Sequence, residues 1–120
     1  MAVDTRFAGT RKNPDLCGSI TQITTENFNP GELTHALLCG MAQELYDMYK
    51  KMGEDKSGIV GSGNGVRKNE ALVRIFEEKF AGKMKMPAHL EEAAVGAAFF
   101  ALVAGKIKTV EDIHKMTKYL

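Results

Sequence analysis

The residues whose types and spacing best suit chemistry are Gly61, Gly63 and Gly65, which follow Ile59-Val60 and precede a helical pattern beginning near Asn69. Without side chains in the way, backbone N–H groups in such a turn are open to a ligand. A following helix adds unpaired N–H groups and partial positive charge. A phosphate or the heterocycle of a nucleotide would rest there. The spacing departs from the standard fingerprints: a dinucleotide motif needs glycine where Val66 stands, and a P-loop needs Gly-Lys followed by Ser or Thr. The same glycines would also serve a tight turn that needs positive φ. The spacing leaves both readings open.

Other reactive side chains are dispersed. His35, His89 and His114 show no His-x-x-x-His or Cys-x-x-Cys pairing, so no metal site is expected. His35 and Cys39 stand at i and i+4, the spacing of a nucleophilic pair, but Cys39 adjoins an apolar stripe and reads as a buried, inert thiol. Glu91 and Glu92 read as partners of a helix dipole, and Glu77 and Glu78 as a solvated face. Arg6, Arg11 and Lys12 form a small basic cluster that would meet phosphate or, on the simpler reading, tie down a polar loop.

The elements that position these groups follow from periodicity and caps. Residues 1–28 are irregular, with Val3, Phe7 and Ser19 to Thr24 suiting a loose hairpin around the polar stretch Gly9 to Asp15. Residues 29–120 read as an α/β core. Asn29-Pro30-Gly31-Glu32 opens a long helix through cap, first-turn proline and capping-box acid, with Phe28 and Leu33 spaced as a staple. Leu33, Leu37, Met41, Leu45, Met48 and Met52 form its expected core stripe, and Gly53 its end. After the polar segment Glu54 to Ser57 come a brief buried strand at Ile59-Val60 and a helix placing Leu72, Ile75, Phe76 and Phe80 inward. Lys83 to Met86 alternates like an edge strand ended by Pro87. The uncharged run Ala93 to Ala104 predicts a helix buried nearly all round, its small residues Ala93, Gly96, Ala97, Ala101 and Ala104 allowing close packing. Thr109-x-x-Asp112 marks a last helix. Few strands and about four helices result: an α/β pattern.

Composition bounds the class. A chain of 120 residues with 44% hydrophobic and 26% charged residues is one ordinary globular domain. Its formal charge of +1 supplies no global field for nucleic acid or acidic membranes, so neither partner is expected. The run Ala93 to Gly105 is too short to cross a bilayer. Cys17 and Cys39, with no secretory leader at Met1, suit a reducing, cytoplasmic compartment.

Three blocks, in order, carry a family resemblance. Gly9-Thr10-Arg11-x-x-Pro14-x-x-x-Gly18 before a long helix resembles the Gly-x-Arg-x-Pro…Arg-Gly segment of FGGY-family carbohydrate kinases, with Cys17 where arginine is usual. Ile59 to Gly65 looks like the family's adenosine-binding turn, and Asn69 stands near a polar position beside the adenine. Pro87-x-x-x-Glu91-Glu92-Ala93-Ala94-x-Gly96-Ala97-Ala98 is similar to its Glu-Ala-x-Ala-x-Gly-Ala-Ala helix. The blocks run from Gly9 to Gly105, and the opening looks most like sedoheptulokinase- and xylulokinase-like members.

The resemblance implies part of a ribonuclease H-like (actin/hexokinase-type) C-terminal lobe from an enzyme that phosphorylates a hydroxyl of a ketose or related polyol with ATP and Mg2+. Gly61, Ser62, Gly63, Asn64 and Asn69 become the implied nucleotide-binding residues, with Asn69 either touching the base or capping its helix, and Arg11 organising the entrance loop. No Asp-x-Gly-Thr-type phosphate segment and no counterpart of the sugar lobe's aspartate base is found. A missing N-terminal kinase lobe is therefore the implied partner, and the isolated chain is expected to be inactive. A non-catalytic nucleotide-binding module and an α/β interaction domain remain as other readings. Lost neighbouring strands would leave Ile59-Val60 or Met84-Met86 as an open edge, through which a homodimer is expected.

Overall fold

The N-terminal residues close into the expected hairpin. In the computed structural model, which describes residues 1–53 and 58–120, β1 (Ala2–Asp4) pairs antiparallel with β2 (Ser19–Thr21), Val3 opposite Ile20. Reciprocal backbone bonds between Thr10 and Asn13, 2.8 and 3.1 Å, cinch the connecting loop. Asp4 and Arg6 form a fork beside it, which holds the Asp4 carboxyl down at about 2. Among the described residues the Arg6 side chain bonds only to Asp4, two residues before it, and Arg11 and Lys12 are exposed, so the loop is closed by its own backbone rather than by the basic cluster. The segment Glu54 to Ser57 lies outside the described residues.

Helix α1 (Pro30–Lys51) begins where the cap predicts: Asn29 Oδ1 accepts the Glu32 N–H at 3.0 Å, and Pro30 occupies the first turn. Gly53, just past its end, adopts φ +81°, the left-handed conformation of a helix terminator. The staple does not form, since Phe28 remains 70% exposed.

The buried face of α1 is not the Leu/Met stripe. Ala36 and Ala42 are buried, with Leu38 and Cys39 packed beside the core, whereas Met41, Leu45, Met48 and Met52 are exposed. Two apolar stripes lie about 150° apart on this helix, and periodicity alone favours the bulkier one. The hairpin and the third helix instead select the small-residue side, where backbones can approach closely. The methionines are therefore surface, not core filler.

Beyond the undescribed segment, β3 (Ile59–Val60) runs parallel to β4 (Met84–Lys85), Ile59 opposite Met84. Between them lie a single helical turn, α2 (Asn64–Arg67), and α3 (Glu70–Lys79). Leu72, Ile75 and Phe76 of α3 are buried with Ala42, and Ile59, Phe80 and Met84 pack around them. Phe80 meets Tyr46 and Tyr49 with ring centroids 5.2 Å away in each case. Polar ties supplement this core: Lys79 Nζ donates to Gln43 Oε1 at 2.6 Å, and Glu77 accepts from the Met84 N–H at 3.0 Å. Val60, expected inside, is 53% exposed: strand alternation turns Ile59 to the core and Val60 to the opposite face. The alternation at Lys83 to Met86 is as predicted, methionines half-buried and lysines out.

The chain ends with α4 (Glu92–Ala104) and α5 (Val110–Met116), the latter opened by a complete Thr109–Asp112 capping box. The chain's last residues return to β4. The Ala88 N–H donates to the Lys118 carbonyl at 2.9 Å and the Leu120 N–H to the Met86 carbonyl at 2.8 Å, so the expected open edge at Met86 is partly covered.

The burial expected of α4 is absent. None of its residues is buried; Ala93, Gly96, Ala97, Ala101 and Ala104 are all exposed, and Phe100 is 78% exposed. A compact chain of this length has a radius of gyration of roughly 14 Å, whereas this one measures 18.3 Å, extended over 61 × 32 × 25 Å. An uncharged helix pattern records that a surface is apolar, not that the same 120 residues cover it. Five helices, one of them a single turn, and two two-stranded sheets complete the described α/β architecture.

Candidate functional site

The glycine turn sits at the carboxyl end of β3 and is open to solvent. Ser62, Asn64 and Gly65 are exposed, Gly63 and Asn69 half-buried, and Gly61 buried. The first two glycines have different causes. At Gly61 a Cβ would collide with Met84 Sδ and press on Met86 Sδ and Val66 Cγ1, both 3.0 Å away, so the missing side chain makes room for protein. At Gly63 nothing lies within 4 Å of such a Cβ, but φ is +89°, which a side chain would strain. Gly61 seats the turn on β4, its N–H donating to the Lys85 carbonyl at 2.9 Å. Gly63 bends the turn outward.

The helix behind this turn differs from the pattern first inferred. A single turn, α2, intervenes before α3, and Asn69 caps α3: its Oδ1 accepts the Leu72 N–H at 3.0 Å. One of the amides that a helix terminus would offer a ligand is thereby already taken. Asn69 thus fills the cap role foreseen for it.

An arginine that the sequence did not single out holds the turn in place. Arg67, its side chain only 12% exposed, donates from Nε to Glu92 Oε1 at 2.9 Å and from Nη2 to the carbonyls of Pro87, 2.6 Å, and His89, 2.7 Å. One guanidinium thus joins α2, the end of β4 and the start of α4. Arg67 lowers the Glu92 carboxyl below its ordinary value, and the N–H groups of Glu92 and Gly63 add to the effect. Nothing local in the sequence marks this pair, which spans 25 residues; Glu92 carried only a dipole reading. The body of α4, exposed along its small-residue face, does not brace the turn. Its first residue does.

The remaining candidates are placed as follows. His35 Nε2 and Cys39 Sγ are 3.5 Å apart on α1, remote from the turn, with the thiol half-buried against the core. Arg11 lies exposed on the hairpin loop. A cleft of about 440 Å3 separates the hairpin from α1, lined among others by Asp4, Thr5, Arg6 and Glu44. Its polar groups pair with one another, Arg6 with Asp4 and Thr5 Oγ1 with Glu44 Oε2 at 3.1 Å, which makes it a structural seam. Among the described residues no group of three or more His, Cys, Asp and Glu is placed to hold a metal ion, and no helix is long and apolar enough to cross a membrane.

Comparison with known proteins identifies the family. Residues 3–105 match the FGGY family of carbohydrate kinases, C-terminal domain. Sedoheptulokinase from Homo sapiens is 31% identical over 97 residues, covering 78% of this chain and 20% of that protein. Its Mus musculus counterpart gives the same figures. Glycerol kinase from Gluconobacter oxydans (strain 621H) is 26% identical over 105 residues, covering 84% of this chain and 20% of that protein. The chain therefore spans about a fifth of the length of these curated relatives. No solved structure matches it. The glycine turn and the Arg67–Glu92 tie both fall inside the matched span, and the chain belongs to the FGGY family of carbohydrate kinases, as a C-terminal domain.

Proposed function

We propose that this chain is the nucleotide-side segment of an ATP-dependent sugar kinase, and that residues Gly61, Ser62, Gly63, Asn64 and Asn69 receive the adenosine part of ATP. The observation that carries the reading is the outward bend at Gly63, open to solvent within the span shared with the kinase family. Gly61 fixes the turn on the sheet, Ser62 and Asn64 present polar atoms to a base or ribose, and Asn69 holds the start of α3 beneath them. Arg67, on the helical turn that follows, is committed to Glu92 and two carbonyls, so it is not free to meet a polyphosphate.

Phosphoryl transfer needs the γ-phosphate positioned, its charge neutralised by metal and donors, and a group to receive the hydroxyl proton. These tasks, the bound Mg2+ and the choice of ketose belong on this reading to other parts of the kinase, arranged in ribonuclease H-like lobes. The bare surface of α4 supports that view, since contiguous exposed apolar patches usually mark a contact surface. An N-terminal kinase lobe and further strands of the same lobe are the partners proposed.

Incubating the 120-residue chain with ATP and a pentulose or heptulose tests the division of labour. No sugar phosphate is expected from the chain alone. Turnover by it would overturn the assignment of phosphoryl transfer to other polypeptide.

A further inference from the structure

Gly63 lies between the Arg67 N–H, which holds its carbonyl, and the Glu92 carboxylate. Its carbonyl accepts the Arg67 N–H at 3.1 Å, closing the single turn of α2, and its own N–H is among the donors that face the Glu92 carboxylate. Glu92 is held by Arg67, whose remaining bonds go to Pro87 and His89. With φ at +89°, small rotations at Gly63 swing Ser62 and Asn64 through large arcs. Whatever fixes the two peptide planes therefore fixes where those side chains point.

We propose that Arg67 and Glu92 are positioning residues for the nucleotide-binding turn: the Arg67–Glu92 pair locks the Gly63 peptide so that Ser62 and Asn64 are presented together to the ligand. This rests on the reading of the turn given above. Neither residue touches the nucleotide. The pair also ties the turn to the first residue of α4, so any displacement of that helix is felt at Gly63. Removing either partner frees the turn while leaving the core of Ala42, Leu72, Ile75 and Phe76 intact, because none of those side chains contributes to the pair.

The test is an ATP titration of the chain followed through backbone amide resonances, with amide exchange measured on the same samples. In the unsubstituted chain ATP shifts Ser62, Asn64 and their neighbours. In Glu92→Gln and in Arg67→Lys the Gly63 amide exchanges faster and ATP binds on the order of tenfold more weakly, about 1.4 kcal/mol, while the amides of Leu72 and Ile75 keep their protection. Exchanging the pair, Arg67→Glu with Glu92→Arg, restores part of the affinity. A purely structural pair would change exchange in the core together with binding, which contradicts the proposal. ATP shifts in the unsubstituted chain that survive both single substitutions with affinity unchanged would sink this proposal alone. Absence of shifts at Ser62 to Asn64 in the unsubstituted chain would sink the nucleotide reading as well.

Discussion

Gly40 of α1 lies directly against the carbonyl of Val3 in β1. A Cβ at Gly40 would overlap the Val3 oxygen and sit 2.9 Å from Thr5 Cγ2, closer than real side-chain atoms approach. This contact lets the hairpin lie flat on the helix, buries Val3 and Ala36, and sets the Thr5–Glu44 hydrogen bond.

Gly40→Val is therefore expected to push the hairpin off α1. The cost is of the order of 1–3 kcal/mol, as for overpacking elsewhere. Chemical denaturation checks it, and Gly65→Ala, at an exposed position with nothing within 4 Å, serves as the comparison that loses far less.

The cap role of Asn69 separates from a ligand role by substitution. Asn69→Ala is expected to cost about 1 kcal/mol of stability and Asn69→Asp much less, since aspartate caps as well as asparagine. Thermal unfolding of the two variants decides. Equal losses would show that the Leu72 amide does not depend on the side-chain oxygen.

Substitution on α4 should be nearly free in the isolated chain. Phe100→Ser, at a side chain 78% exposed, is expected to change stability by no more than about 0.5 kcal/mol. A loss of several kcal/mol in denaturant titration would mean that α4 packs against the core.

Acid should loosen the turn before the core. The Glu92 carboxyl is lowered below its ordinary 4.5, first by the Arg67 hydrogen bond. A depressed folded value contributes stability above the unfolded value and loses it as pH falls through the folded one. Amide exchange at Gly63, corrected for its intrinsic pH dependence, is thus expected to lose protection as pH falls below 4.5, and in Glu92→Gln to be unprotected at every pH. A wild-type profile flat across that range would contradict the tie.

Local rules made much of the fold legible. Asn29, Asn69 and Thr109 announced their helices, because a cap is a contract between residues three apart. Leu72, Ile75 and Phe76 were legible as core because α3 carries one apolar stripe opposite a charged face. The α1 stripe misled because two apolar faces compete there, and the choice is made by Val3 and Gly40, residues far apart in sequence. Burial of α4 was misread because apolar composition does not say which polypeptide supplies the cover. At the site, the bend was visible in its glycines, but their separate duties were not: Gly61 is dictated by Met84 and Met86, over twenty residues later, and the Arg67–Glu92 tie by another long-range encounter.

The most direct measurement is an ATP titration of the chain mapped by amide chemical shifts, with adenosine as a parallel ligand. Weak binding, on the order of millimolar, is expected to move Ser62, Gly63 and Asn64 first, with adenosine producing nearly the same pattern as ATP. Shifts confined to the hairpin cleft around Arg6 and Glu44, or none at the glycine turn, would contradict the account.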